Sequence, residues 1–428
     1  MKSPESGFTL IEIIIAMTLF MVIIGITGSA FTLLLTFSRQ LATSDGNNIA
    51  GVVGLEIMRH DLQQAGYGMP TAYASPPTYN EALFAPANTS SLNDAPHGIP
   101  RPIVSLDSVT SWSDANAADG LTYTVLEGTD YLSVKASSVG RDAAAGKWAF
   151  VKYSSSIGSQ FTQKAPNRWA TPEENLNDND YGIVLKRTFD DKGIQSTLIF
   201  NNNNSGTATN YATNKTNALL DNNFNPNSAD PPYFIYGISK TTPGMPFNRV
   251  DFMVARPSDT PAQPKCAPNT GILYKATVNH SDGKLSYAPL LDCVADMQVV
   301  FGWDTAGNGI ITESSAYSGT ISVSGTAHAE DISKITKDPL LVRSALKYIK
   351  VYIMAQEGKA DPGFTNTNSI MKNAYSIVVG DANTSDSSSR AISNVSLTKG
   401  YTAQNLSGKG WLNYRWKIYR LVIKPNNL

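Results

Sequence analysis

The sequence predicts an α+β fold, in which a long N-terminal transmembrane and amphipathic helix packs on an antiparallel β-sheet head with a large loop-rich insertion. Three observations predict it. The stretch from Ile13 to Ser38 is uncharged and mostly apolar, and at 1.5 Å rise per residue such a helix spans the roughly 30 Å hydrocarbon core of a bilayer. Helical character continues without proline as far as Ala65. Beyond Pro70 the pattern changes to short β-branched and aromatic segments set among Gly, Asn, Asp and Pro clusters.

The helix is predicted as one continuous element from Phe8 to Ala65. In its second half Ile49, Val52, Val53, Leu55, Met58 and Leu62 recur near helical spacing, while Arg39, Asp45, Glu56, Arg59 and Asp61 supply a polar face. Gly66-Tyr67-Gly68-Met69-Pro70 ends it, with glycine suited to a left-handed cap and proline unable to continue. Gly25 and Gly28 are the expected weak points, each costing up to about 1 kcal/mol of helix stability. Glu12 lies inside the apolar boundary with no basic residue between Lys2 and Arg39 to pair with. A carboxylate there costs roughly 2.5 to 3.5 kcal/mol on insertion scales, so it calls for a partner, and a free amine on another copy's helix would serve.

Gly7-Phe8-Thr9-Leu10-Ile11-Glu12, after a short polar leader carrying Lys2, resembles the prepilin signature of type IV pilins and type II secretion pseudopilins. The resemblance implies cleavage after Gly7 by a prepilin peptidase, methylation of the new N-terminal residue Phe8, and a contact between Glu12 and the N-terminal amine of a neighbouring subunit. It divides the chain into a leader (1–7), a transmembrane half-helix (8–38), a periplasmic amphipathic half (39–66), a loop-rich β region read as an insertion (67–245) and a C-terminal antiparallel β region (246–428). Two plainer readings compete. One is a secretory signal cut near Gly28-Ser29-Ala30; the other is a signal anchor whose Glu12 snorkels to the headgroups.

Charged residues make up 16% of the chain, below the globular average of about 25%, which suits an exported, loop-rich β protein. The net charge of −1 gives no electrostatic footprint for nucleic acid. Cys266 and Cys293 are the two cysteines. In an oxidising compartment a pair favours a disulfide valued at about 3 to 4 kcal/mol, against the alternative of two separate buried thiols.

Strands are expected at Leu121–Val134, Trp148–Tyr153, Tyr181–Phe189 and Thr197–Phe200. A stronger set, Val250–Ala255, Gly271–Val278, Leu285–Leu291, Met297–Trp303, Leu346–Ala355 and Trp411–Lys424, is expected to form one antiparallel sheet. Ile349, Val351 and Ile353 alternate onto a face that suits the helix. The phrases Leu290-Leu291-Asp292-Cys293-Val294-Ala295-Asp296-Met297-Gln298-Val299, Asp304-Thr305-Ala306-Gly307-Asn308-Gly309, Val351-Tyr352-Ile353-Met354-Ala355-Gln356, Arg415-Trp416-Lys417-Ile418-Tyr419-Arg420 and Arg59-His60-Asp61-Leu62-Gln63-Gln64-Ala65-Gly66-Tyr67 resemble the PilW group of minor pilins. That resemblance implies a minor subunit whose partners are other minor pilins, the major pilin, the prepilin peptidase and a large tip adhesin. The precursor is expected in the inner membrane with a periplasmic head, and the assembled protein at the pilus or cell surface.

Little in the sequence points to catalysis. His60, His97, His280 and His328 have no helical partner of the zinc-hydrolase kind, and no nucleophile elbow, Walker loop or dinucleotide fingerprint occurs. No cofactor is implied and no enzymatic activity is expected. Asp304-Thr305-Ala306-Gly307-Asn308-Gly309 is the one metal-like phrase, with Asp304 and Asn308 as weak calcium ligands. Ala306 breaks the third position and Ser315 stands where the bidentate acid belongs, so a glycine turn is favoured. Tyr414, Trp416 and Tyr419 read as sheet packing before a binding stripe. The competing functions are a type II secretion pseudopilin and a membrane-anchored periplasmic binding module.

Overall fold

The computed structural model describes residues 10–110, 112–151, 153, 166–190, 193–201, 210–214, 220, 222–226, 228, 230–259, 265–315, 329–366, 375–380 and 399–428. In chain order the first elements are helix α1 (Leu10–Gln63) and strands β1 (Ala72–Tyr73), β2 (Ile103–Leu106), β3 (Ser113–Asp114), β4 (Tyr123–Val125), β5 (Tyr131–Ala136) and β6 (Trp148–Val151). Next come β7 (Tyr181–Asp190), β8 (Gly193–Leu198), β9 (Ala212–Thr213), β10 (Tyr233–Ser239), β11 (Asn248–Pro257), β12 (Gly271–Val278), β13 (Leu285–Trp303) and β14 (Thr312–Ser314). Short helices α2 (Ala329–Ile335) and α3 (Pro339–Ala345) lead into β15 (Leu346–Glu357). They are followed by β16 (Tyr375–Val379), β17 (Lys399–Thr402), helix α4 (Ala403–Gly408) and β18 (Arg415–Ile423).

Antiparallel sheets dominate. The main sheet runs β18-β15-β13-β12-β11-β4-β3, with β14 on β13, β5 on β11 and β2 on β5. A second sheet runs β1-β8-β7-β10-β6, with β9 on β7; its β1–β8 pair is parallel. Strands β16 and β17 form a separate pair. The expected C-terminal sheet is therefore present, with corrections. Leu285–Leu291 and Met297–Trp303 are one strand, because register shifts on both flanks absorb the irregular residues between them instead of ending the ladder. The last strand begins at Arg415, since α4 and a turn occupy the residues before it. The boundary drawn at 245/246 does not separate sheets: β5, from the loop-rich part, pairs with β11 from Asn248 to Phe252.

The alternation in β15 has the expected outcome. Ile349, Val351 and Ile353 join the core cluster that holds Leu55, Met58 and Leu62 of α1. Tyr352 and Met354 point the other way into a second cluster with Tyr401, Leu406 and Trp411. Central strands buried on both faces carry the head's stability, at roughly 1.5 to 3 kcal/mol per large apolar side chain.

The long connection from β1 to β2 has little regular structure and is held by buried charge. Lys135 of β5 pairs with Glu81 at 2.8 Å and with Asp94. Arg249 of β11 grips Asp251 with Nε and Nη2, both at 2.9 Å, and reaches Glu81 Oε2 at 3.1 Å. Arg101 donates to Asp94 at 2.6 Å. Burial opposes ionisation of Asp94, but Lys135 and Arg101 outweigh it and hold that carboxyl below the usual range. Three cations meet three carboxylates, so the group is neutral as a whole. The remaining acceptors are used too: Glu81 Oε1 takes the N–H groups of Asp94 and Ala95.

His280 gives the head a pH response. Asn248 donates its amide to the carbonyls of Ser137 and Ile238, so its Oδ1, 2.8 Å from His280 Nε2, accepts a hydrogen bond from that nitrogen. Nδ1 has no partner, and a proton placed there would be buried and unmatched. Burial lowers the His280 pKa to about 4. A depressed histidine binds fewer protons folded than unfolded, so its contribution is intact above the unfolded value near 6.5 and is lost as pH falls toward 4. Denaturant titrations of the wild type should lose on the order of 2 to 3 kcal/mol across that interval. His280→Gln should flatten the slope; an unchanged slope would assign the loss elsewhere.

Candidate functional site

The feature that sets this chain apart is the way α1 leaves its head. Helix α1 is 54 residues long, and all its described side chains from Leu10 to Ile24 are exposed, with Phe20 at 67% and Met21 at 79%. Thr18 donates its hydroxyl to Ile14 and Ile15 carbonyls and Thr27 to Ile23, so even these polar groups are satisfied within the helix. Among the described residues no helix is long and apolar enough to cross a membrane. Much of the span read from sequence lies outside the description: residues 8 and 9, and the side chains of 12, 16, 25, 26 and 28–38.

The last turns of α1 form its seat. Gly51, Gly54, Leu55, Met58, Asp61, Leu62 and Ala65 are buried, a three-and-four spacing that lays one stripe on the sheet. This corrects the sequence-based faces. Val52 and Val53 are more than half exposed, and Asp61 is buried, because two glycines rather than two valines meet the sheet. A Cβ on Gly54 would fall on the carbonyl group of Leu290, and one on Gly51 would meet Leu291 Cδ1 at 2.8 Å. The helix thus approaches β13 backbone to backbone. Asp61 is matched by Lys275 of β12, whose Nζ lies 2.6 Å from Oδ2; burial still raises the Asp61 pKa against the pull of Lys275.

The stop after α1 follows the sequence. Gly66 has φ +80° and Gly68 +62°, the left-handed region that glycine enters without strain. The N–H of Gly66 donates to the Lys135 carbonyl at 2.9 Å, and the Asn426 N–H to the Gln63 carbonyl at 3.0 Å. One orphan carbonyl of the helix end is thereby satisfied by the segment after β18.

Behind the seat, β13 bulges where Cys293 takes φ +54°. Cys293 is joined to Cys266, with Cα atoms 5.1 Å apart. The bridge closes a loop with a sequence separation of 27, worth about 3 to 4 kcal/mol in the chain-entropy description. Cys266→Ser/Cys293→Ser should lower unfolding free energy by about that amount. A loss below about 1 kcal/mol in chemical denaturation would show that sheet pairing alone fixes the bulge.

The other sequence candidates fall as follows. Asp304 accepts the N–H groups of Asn308 and Gly309 at 3.0 and 3.1 Å, and Asn308 Oδ1 accepts that of Ile310. With Gly307 and Gly309 at positive φ, these oxygens are used in closing a turn. Among the described residues no group of three or more His, Cys, Asp or Glu side chains could hold a metal. Tyr414 and Trp416 pack against the Trp411 cluster, while Tyr419 faces α1. Gly7 and Phe8 lie outside the described residues. Glu12 falls in the α1 backbone, but its side chain is also outside the description.

Sequence reasoning missed the glycine seat, the Asp61–Lys275 pair and the buried charges around Arg249. The Gly51-x-x-Gly54 spacing was the one available signal for the first. No curated protein and no solved structure matches the chain. Residues 2–28 match the prokaryotic N-terminal methylation motif, a prepilin-type signature that supports reading the chain as a type IV pilin-like protein.

Proposed function

We propose that the protein is a minor pilin that primes or takes part in type IV pilus assembly. The match of residues 2–28 to the N-terminal methylation motif carries the proposal, and the exposed apolar half of α1 supports it. In this reading the precursor sits in the inner membrane with a periplasmic head. A prepilin peptidase cuts after Gly7 and methylates Phe8, and Glu12 then pairs with the N-terminal amine of an adjacent subunit. The resemblance to the PilW group argues for a minor subunit among other minor pilins, the major pilin and a tip adhesin, ending at the pilus or cell surface. A bulky head, hard to repeat along a tight filament, agrees. No enzymatic role is proposed.

The same motif fits a type II secretion pseudopilin. A deletion strain separates the two, by loss of twitching motility or loss of exoprotein secretion. Intact-mass and N-terminal analysis of protein from its native membrane tests both at once. A chain starting at N-methylated Phe8 is expected; a chain starting at Met1 would return it to an anchored periplasmic module. Glu12→Ala should leave membrane insertion intact and impair assembly. Normal incorporation of that variant into pili would sink the pairing role.

A further inference from the structure

The head carries a nucleophile that the assembly role does not use. Lys135 of β5 has a fully buried side chain, and its Nζ touches two carboxylates of the β1–β2 connection: Asp94 Oδ2, and Glu81 Oε2 at 2.8 Å. The Glu81 side chain is equally buried and that of Asp94 is 7% exposed. Phe247 closes one side, its ring centroid 5.4 Å from Nζ, with Tyr79 edge-on against that ring. An amine and a carboxyl held together in this way react with effective molarities of about 10⁵ M or more. Exclusion of water withholds the reagent of the reverse step.

The resting group is ionised, and its members differ in what they can give up. Arg101 and Arg249 keep their charge, whereas an ammonium can release a proton to a neighbouring oxygen. We propose that Lys135 and Asp94 condense into an isopeptide bond, with Glu81 as the proton carrier. One ammonium proton passes to Asp94 Oδ2 and leaves a free amine beside a neutral carboxyl. The amine attacks Cγ, and the developing charge falls on Oδ1, where Arg101 Nε already donates at 2.6 Å. Glu81 Oε2 takes a second proton from the nitrogen and returns it to Oδ2. The Cγ–Oδ2 bond then breaks; two of the three ammonium protons leave in the water and one stays on the amide nitrogen. The group remains neutral, because one cation and one carboxylate are consumed together. The bond spans a sequence separation of 41 and fixes covalently the residue whose carbonyl receives the Gly66 N–H at the end of α1. Lys275 and Asp61 are also close, at 2.6 Å, but among the described residues that amine meets no second carboxylate, so the pair stays ionic.

Peptide mapping of the wild-type chain from its native membrane, reduced, alkylated and denatured before digestion, tests it. Trypsin spares Arg101 because Pro102 follows, so an uncondensed chain yields the peptide 60–135. The isopeptide blocks the cut after Lys135. The expected product is the peptide 60–141, lighter by one water, with fragment ions placing the link at Asp94 and with normal cutting after Lys275. Glu81→Gln, in a chain whose circular dichroism matches the wild type, should restore the cut; the wild-type map decides the bond even if this variant does not fold. Four results would overturn the proposal: a complete cut after Lys135 in the wild type, loss of water with that cut intact, which marks a succinimide, a link placed at Glu81, or wild-type yield of the linked peptide from Glu81→Gln.

Discussion

Replacing Gly54 with alanine is expected to destabilise the protein by about 2 to 3 kcal/mol, the range for overpacking a site that cannot relax. The sign is the informative part. In an exposed helix the same change stabilises, by up to about 1 kcal/mol, because alanine is the better helix former. Here the added Cβ meets the backbone carbonyl of Leu290, and neither a strand in the middle of a sheet nor a helix packed along several turns can step aside cheaply. Gly51 makes the internal control. Its Cβ would meet the methyl end of Leu291, which can rotate, so Gly51→Ala should cost less than Gly54→Ala. Thermal unfolding of the full chain in detergent checks both; a higher Tm for Gly54→Ala than for wild type would remove the backbone contact from the account.

Arg249→Met should cost more, about 3 to 5 kcal/mol, the usual penalty for removing one partner from a buried ion group. Arg249 is fully buried and contacts Asp251, Glu81, Asn93 and the Ala87 carbonyl. Without it the three carboxylates face two cations in a medium that solvates none of them, and the β1–β2 connection loses its tie to β11. Neutralising Asp251 as well restores the balance, so Arg249→Met/Asp251→Asn should recover part of the loss despite carrying a second change. Tyr131, which donates to Asp251 at 2.6 Å, would still find an acceptor in asparagine. Denaturant titration of the two variants decides the matter. A double variant less stable than the single one by the full cost of a second lesion would mean that charge balance is not what holds this loop.

What could be read from the sequence was what obeys short-range rules. The helix, its stop at Gly66, the alternation through Ile349, Val351 and Ile353, and the strands β11, β12, β13 and β15 depend on periodicity and on where glycine is tolerated. The helix faces were misjudged because periodicity treats a glycine as a gap, whereas Gly51 and Gly54 mark the line of closest approach. Asp61 looked solvent-facing because its partner Lys275 is more than two hundred residues away. The Arg249 group was illegible for the same reason: Glu81, Asp94, Lys135 and Arg249 come from separate strands and a loop, and no local pattern announces a pairing made only in the folded chain. The pairing of β5 with β11 likewise crosses a stretch whose composition reads as loop.

The mounting of the helix has a mechanical meaning. Tension on α1 enters the head at places far apart in sequence. Residues after Gly66 lead directly to Thr71, whose N–H is tied at 2.8 Å to the carbonyl of Ser196, in β8 of the second sheet. The Asn426–Gln63 bond leads to β18, which is laced to β15 along nine residue pairs of the main sheet. The Leu290 contact leads to β13, next to the covalent staple at Cys293. A pull on the stalk is therefore shared among several ladders in parallel, and the failure of one leaves the others still bearing load.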